Sequence, residues 1–160
     1  MIRNFREIMS LVPTSVSVLT CYSSDNIYGC TISSLVSVNI NDKSPEILFV
    51  LKKESIIGNL IESNKFFSVN LLNSSQKQIA EQFANNRSPD NLKDSNWEIA
   101  DDNFAVLNNA RAVMNCVFTR RYIDHGADIF VGNVRNSIGN NKTDGLIYDS
   151  RRYGHFLPGL

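Results

Sequence analysis

The sequence predicts a mainly β protein, a small antiparallel barrel with helices at its periphery. Three observations predict it. Strand-like segments outnumber helical ones by about two to one, they follow one another through short turns, and the strand–helix–strand alternation of a parallel sheet is missing. With 160 residues the chain is long enough to bury a real core and fits one domain spanning residues 1–160.

Each element follows from local pattern. Phe5, Ile8, Met9 and Val12 repeat at helical spacing up to Pro13, which predicts a short amphipathic helix at the start. A meander comes next: strands over 15–22, 27–33 and 35–40, with Ser23, Ser24, Asp25 and Asn26 as the first turn. The run Ile-Leu-Phe-Val-Leu within 46–51 suits a strand buried on both faces. Ser55 caps a short helix carrying Ile56, Ile57, Leu60 and Ile61, and 65–72 returns as a strand. Ser75 and Gln78 have capping-box spacing for a helix whose apolar face is Ile79 and Phe83. Residues 85–96 lack a period and read as an exposed loop. Long strands over 110–122 and 128–138 form a hairpin through His125-Gly126, 146–148 closes the set, and His155 falls on a mobile tail.

Composition narrows the partners. Sixteen basic and sixteen acidic residues cancel, and Arg120-Arg121 and Arg151-Arg152 are only doublets, so no nucleic-acid footprint is expected. Cys21, Cys30 and Cys116 are odd in number, widely spaced and apolar in context, which argues against a disulfide framework or zinc cluster and for a reducing cytoplasm. The N-terminus lacks an apolar signal core, and no apolar run approaches the ~18 residues of a membrane span, so no membrane partner is expected.

Several chemistries lose their basis on inspection. The glycines never form a Gly-x-Gly-x-x-Gly turn or a P-loop, Gly-x-Ser-x-Gly is absent, and His125 and His155 lack a ligand partner at metal spacing. A site built on hydroxyls and backbone amides remains. In Gly29-Cys-Thr-Ile-Ser-Ser-Leu-Val-Ser-Val38, the side chains of Thr31, Ser33, Ser34 and Ser37 and the nearby N–H groups can converge on an oxygen-rich ligand. Lys53 and Ser55, at a helix N-terminus, suit a terminal phosphate. On spacing alone an ordinary polar strand face is the simpler reading.

The order of these pieces resembles the flavin reductase-like family, the short-chain reductases that partner two-component flavin monooxygenases. The resemblance is carried by Phe5-Arg-Glu-Ile, Pro13-Thr-Ser-Val-Ser-Val-Leu-Thr20, the 29–38 ribbon, Leu51-Lys-Lys-Glu-Ser55, Phe67-Ser-Val-Asn-Leu-Leu72, Gln78-Ile-Ala-Glu-Gln-Phe-Ala84, the stretch from Val106 to Cys116, and Ile129-Phe-Val-Gly-Asn-Val134. It implies an FMN-binding split β-barrel, usually a homodimer, that binds FMN or FAD and reduces it with NADH or NADPH. By position it places Thr14 and Ser15 beside the isoalloxazine. Thr31, Ile32, Ser33 and Ser34 then lie against its pyrimidine edge and ribityl chain, Lys53 and Ser55 at the phosphate, and Asn70 on the strand bordering the flavin. Tyr153-Gly154 resembles the family's C-terminal tyrosine motif.

Two departures bear on chemistry. The family often carries Gly-Asp-His before Ile-Phe-Val-Gly, whereas here His125-Gly-Ala-Asp128 displaces the histidine by two positions, leaving His125 as the candidate catalytic group or as a turn histidine. Glu54 puts a negative charge beside Lys53. The expected activity is hydride transfer from nicotinamide to flavin, with reduced flavin passed to a partner monooxygenase. A non-catalytic flavin-binding electron carrier or sensor is the alternative, and an interaction scaffold a third.

Overall fold

The structure is a computed structural model that describes residues 2–41, 43–85, 96–101, 103–140 and 142–156. In chain order the elements are α1 (Ile2–Ser10), β1 (Thr14–Ser15), β2 (Ser17–Ser23), β3 (Asn26–Ile32), β4 (Val36–Asn39), β5 (Glu46–Lys52), α2 (Ile56–Asn64), β6 (Phe66–Leu71), α3 (Lys77–Asn85), β7 (Trp97–Ala100), β8 (Phe104–Leu107), β9 (Ala112–Tyr122), β10 (Ala127–Gly139), β11 (Leu146–Asp149) and β12 (Arg152–His155). Seven strands form one antiparallel sheet in the order β3-β2-β6-β9-β10-β5-β4. Its two ends approach each other. The Ser34 hydroxyl, just past β3, accepts from Val50 N (2.9 Å) and donates to Val50 O (3.2 Å) on β5. The sheet is therefore rolled into a barrel that stays split along the outer edge of β3, in agreement with the mainly β, split-barrel expectation.

The barrel is filled by alternate residues of each strand, as period-two patterning requires. Leu19, Phe49, Phe67, Val69, Cys116 and Phe130 pack together inside it, with Ile57 and Ile61 of α2 closing one end. Phe49 and Phe130 stack with ring centroids 5.5 Å apart and planes 4° from parallel, and Phe67 meets Phe49 edge-on. Gly58 sits mid-face on α2 although glycine weakens a helix by about 1 kcal/mol. A Cβ there would lie 2.8 Å from Phe130 Cζ, so the helix reaches the barrel only without one. Outside the sheet, Val18, Leu72, Ala80, Phe83 and Leu107 form a second cluster under α3 and the β7–β8 hairpin. A Cβ on Gly29 would lie 2.5 Å from Phe83 Cε1, and the same reasoning applies where α3 crosses β3.

Four sequence expectations change. Strand β5 is not buried on both faces: Ile47, Phe49 and Leu51 are enclosed while Val50 is exposed, because only one face meets the barrel interior. The strand expected over 15–22 breaks at Val16, whose N–H donates to Leu146 and whose carbonyl accepts from Leu72. This lets β1 leave the barrel and pair with β11. The Ser75–Gln78 capping box is replaced by an asparagine turn: Asn73 Oδ1 accepts from Ser75 N and Oγ, Gln76 Oε1 accepts from Asn73 N, and α3 starts at Lys77. His155 ends strand β12, opposite Leu146, rather than lying on a mobile tail. The β11–β12 turn holds Ser150 and Arg151 at positive φ (48° and 62°). Such turns favour glycine and asparagine, which are missing here, so the turn carries no sequence signal. Residues 86–95 of the expected loop lie outside the described residues. Among the described residues no helix is long and apolar enough to cross a membrane.

Candidate functional site

The split in the barrel opens into a cleft of about 360 Å³, within the size range of small-molecule sites. Three elements form its walls. Residues 28–34 supply one wall from β3 and the segment after it, Val50, Leu51 and Lys52 of β5 supply another, and Ser55, Ile56 and Ile57 at the start of α2 supply the third, with Ala127 at the rim. Because β3 is an edge strand, paired only with β2, alternate N–H and C=O groups along its outer side face the cleft without a ladder partner. At α2, Ser55 is the N-cap and its Oγ accepts from Gly58 N (3.5 Å). The N–H groups of Ile56 and Ile57 have no partner among the described residues and lie at the positive end of the helix. Lys52 adds a full charge. Exposed Ile56 and half-exposed Val50 provide an apolar surface for a planar ring.

The turn joining β5 to α2 is closed by Ser55 N donating to Lys52 O (3.2 Å), with Glu54 in the left-handed region at φ 60°. A non-glycine residue there stores strain of order 1 kcal/mol, held by the strand before it and the helix after it.

The cleft brings together Thr31, Ile32, Ser33, Ser34 and Ser55 of the residues picked out in the sequence. Three of their hydroxyls are already engaged: Thr31 Oγ1 donates to Ala80 O of α3 (2.8 Å), Ser34 Oγ is tied to Val50, and Ser55 Oγ accepts from Gly58 N. Exposed Ser33 is bonded to no other described residue, so it is the hydroxyl open to a ligand, alongside the backbone of this segment.

Other candidates lie elsewhere. Thr14 and Ser15 are on β1 opposite Tyr148 and Ile147, in the small sheet. Ser37 is exposed on β4 opposite Ile47. Lys53 is exposed and is not part of the cleft wall, which its neighbour Lys52 is; the charge of Lys53 acts on Asp128. Asn70 is fully buried with both ends of its carboxamide in use: Nδ2 donates to Val18 O and Thr20 Oγ1, and Oδ1 accepts from Leu107 N. It anchors β8, whose free edge needs partners, and its complete burial keeps it from the cleft. His125 is exposed in the β9–β10 loop, and Ala127 rather than His125 reaches the cleft. Sequence reasoning missed Lys52 and Ala127. Parity held the signal for Lys52, since an inward Leu51 puts Val50 and Lys52 together on the other face.

The cysteines offer no nucleophile from the core. Burial pushes the Cys21 thiol up to about 11 and the Cys116 thiol up to about 12, so both stay protonated near neutral pH. A second cavity, of about 370 Å³, lies between the β7–β8 hairpin and the far ends of β9 and β10. Asn108, Asn109, Asn115, Asn136 and Asn140 line it with Glu98 and Asp101, and among the described residues no basic side chain does. Two carboxylates disfavour a phosphorylated ligand in that second cavity.

Comparison with known proteins gives the same class as the geometry. Residues 9–156 match the family described as flavin reductase like domain. The chain is 27% identical to the reductase component of FADH(2)-dependent resorcinol hydroxylase from Rhizobium sp. (strain MTP-10005), over 94% of this chain and 85% of that protein. It is 30% identical to the NADPH-flavin oxidoreductase of Streptomyces viridifaciens, over 88% of this chain and 74% of that protein. The solved structure of the Streptomyces globisporus C-1027 NADH:FAD oxidoreductase SgcE6, in complex with NAD and FAD fragments, superposes with a TM-score of 0.89 at 24% identity, covering 98% of this chain and 93% of that one. A split barrel with this cleft and these similarities defines an oxidoreductase of the flavin reductase class. The chain belongs to the flavin reductase-like family, whose activity is NAD(P)H-dependent reduction of flavin.

Proposed function

We propose that the chain binds FMN or FAD in the β3–β5–α2 cleft and releases it, once reduced by NADH or NADPH, to a partner monooxygenase. One observation carries this reading: the open edge of β3, the ammonium of Lys52 and the N-terminus of α2 converge on a single cleft of suitable size. These groups fit a flavin. Ser33 and the β3 amides would hold the polar edge of the ring system, Ile56, Val50 and Ala127 its apolar face, and Lys52 with the helix N-terminus its phosphate. Bound there, flavin supplies the two-electron acceptor chemistry. The protein's part is to orient the rings, offer amide donors where negative charge develops, and limit water. No imidazole lines the cleft, and hydride transfer between two cofactors requires none, so His125 is not needed as an acid or base. A partner oxygenase is supported by relatives named as reductase components of such systems.

The same proposal covers assembly and setting. A homodimer is supported by an apolar outer face beside the cleft, where register places Tyr122 and Val50 either side of Ile129, and Val36 next to Leu48. Val36 is 53% exposed and Tyr122 55%. Sedimentation should give twice the monomer mass, and a monomer at micromolar concentration would refute the pairing. One domain across 1–160 and a reducing cytoplasmic home, suited to three unpaired cysteines, complete the reading. Purified protein with FMN or FAD should oxidise NADH or NADPH well above the blank rate. Absence of turnover with all four combinations would end the proposal.

A further inference from the structure

Arg121 lies outside the cleft yet ties α2, one of its walls, to the strand that carries Ala127 at its rim. The guanidinium donates from Nε and Nη2 to Asp128 Oδ2 (3.0 and 2.5 Å) on β10, and from Nη1 to Glu62 Oε2 (2.6 Å) and Asn59 Oδ1 (3.3 Å) on α2. It also stacks over the Phe130 ring at 5.2 Å. Asp128 is 1% exposed, and its other oxygen accepts from Asp124 N (3.4 Å) at the root of the loop that carries His125. Asp128 follows Ala127, which lines the cleft opposite Lys52 in register, and α2 presents Ser55, Ile56 and Ile57 to the same cleft.

A buried ion pair is a poor source of net stability, because desolvation offsets its attraction and well-packed apolar residues often do as well. This pair does something an apolar pair cannot. Its forked, directional bonds fix the helix against the hairpin at one spacing.

We propose that the Arg121–Asp128 pair is a positioning device for flavin binding: by bridging Asn59 and Glu62 of α2 to the β9–β10 hairpin, it sets the separation of the helix N-terminus and Ala127 across the cleft. The inference rests on the cleft being the flavin site. Arg121 holds the Asp128 carboxyl below the usual carboxylate range, chiefly through its hydrogen bonds, so the pair stays charged near neutral pH. Neither residue touches the ligand. Their effect should therefore appear as misplacement, which raises the flavin KM and leaves the intrinsic hydride step nearly untouched.

Removing Arg121 alone strands a buried carboxylate and endangers folding, so the informative variant replaces both partners, Arg121→Met with Asp128→Leu. The expected result is a melting temperature within a few degrees of the parent, a flavin KM raised about tenfold, and kcat changed less than about threefold. Arg121→Lys, which keeps a charge but loses the fork, should fall between. A folded double variant with an unchanged flavin KM overturns the proposal, as does a KM that rises only in step with lost folded protein. Ala127→Phe, which fills the cleft, is measured alongside. If it weakens flavin binding while the double variant does not, the positioning role fails alone; if neither changes flavin binding, the cleft itself has been misassigned.

Discussion

Phe130→Ala should lower the stability of the chain by about 3–5 kcal/mol, the usual cost of deleting a fully enclosed aromatic ring. Phe130 is 1% exposed where α2 packs on the barrel. Its ring stacks on Phe49, lies 6.2 Å from Phe118, abuts Gly58 of α2, and carries the Arg121 guanidinium. Collapse cannot fill the gap, because Gly58 has no side chain to move in and Phe49 is held from the far side by Phe67. For a chain of this size the loss corresponds to a melting point lower by roughly 10 °C. Urea or thermal unfolding reads it directly, and a loss below about 1 kcal/mol would mean the ring does not hold helix and sheet together as described.

The largest effect on ligand binding belongs to Lys52. Replacing it by alanine should weaken flavin affinity by roughly tenfold, since a charge-assisted hydrogen bond to a phosphate is worth about 1.5–3 kcal/mol. Lys52→Glu should cost about 100-fold by adding repulsion at the same point. Lys53→Ala is the control. Lys53 lies outside the cleft wall with its charge acting on Asp128, so its loss should change affinity by less than about threefold. Fluorescence titration of FMN against the three variants separates them. A larger loss at Lys53 than at Lys52 would return the phosphate to the residue that the sequence pattern favoured.

That pair shows where sequence reading reaches and where it stops. The strands themselves were legible, but not always their faces: 46–51 reads as buried on both, whereas Ile47, Phe49 and Leu51 turn inward and Val50 is exposed. The 29–38 ribbon stood out in the sequence because its hydroxyls fall at a strand end, and its first half, up to Ser34, lines the cleft. What each hydroxyl bonds to was not, since the partners are distant in sequence. Thr31 reaches Ala80 on α3, Ser34 reaches Val50 on β5, and Asn70 is consumed by the unpaired edge of β8. Strand β12 was hidden for a different reason, a tight turn built from Ser150 and Arg151 without the residues that normally mark one. The Arg121 clamp joins residues 59, 62, 121 and 128, and no local pattern could have assembled it.

The claim that flavin occupies the β3–β5–α2 cleft is tested most directly by amide chemical-shift mapping on titration with FMN. The account predicts that the largest changes fall on Thr31, Ile32, Ser33 and Ser34, on Lys52, and on Ile56 and Ile57, saturating together. Changes centred instead on the asparagine-lined cavity around Asn115 and Asn136, with the cleft silent, would contradict it.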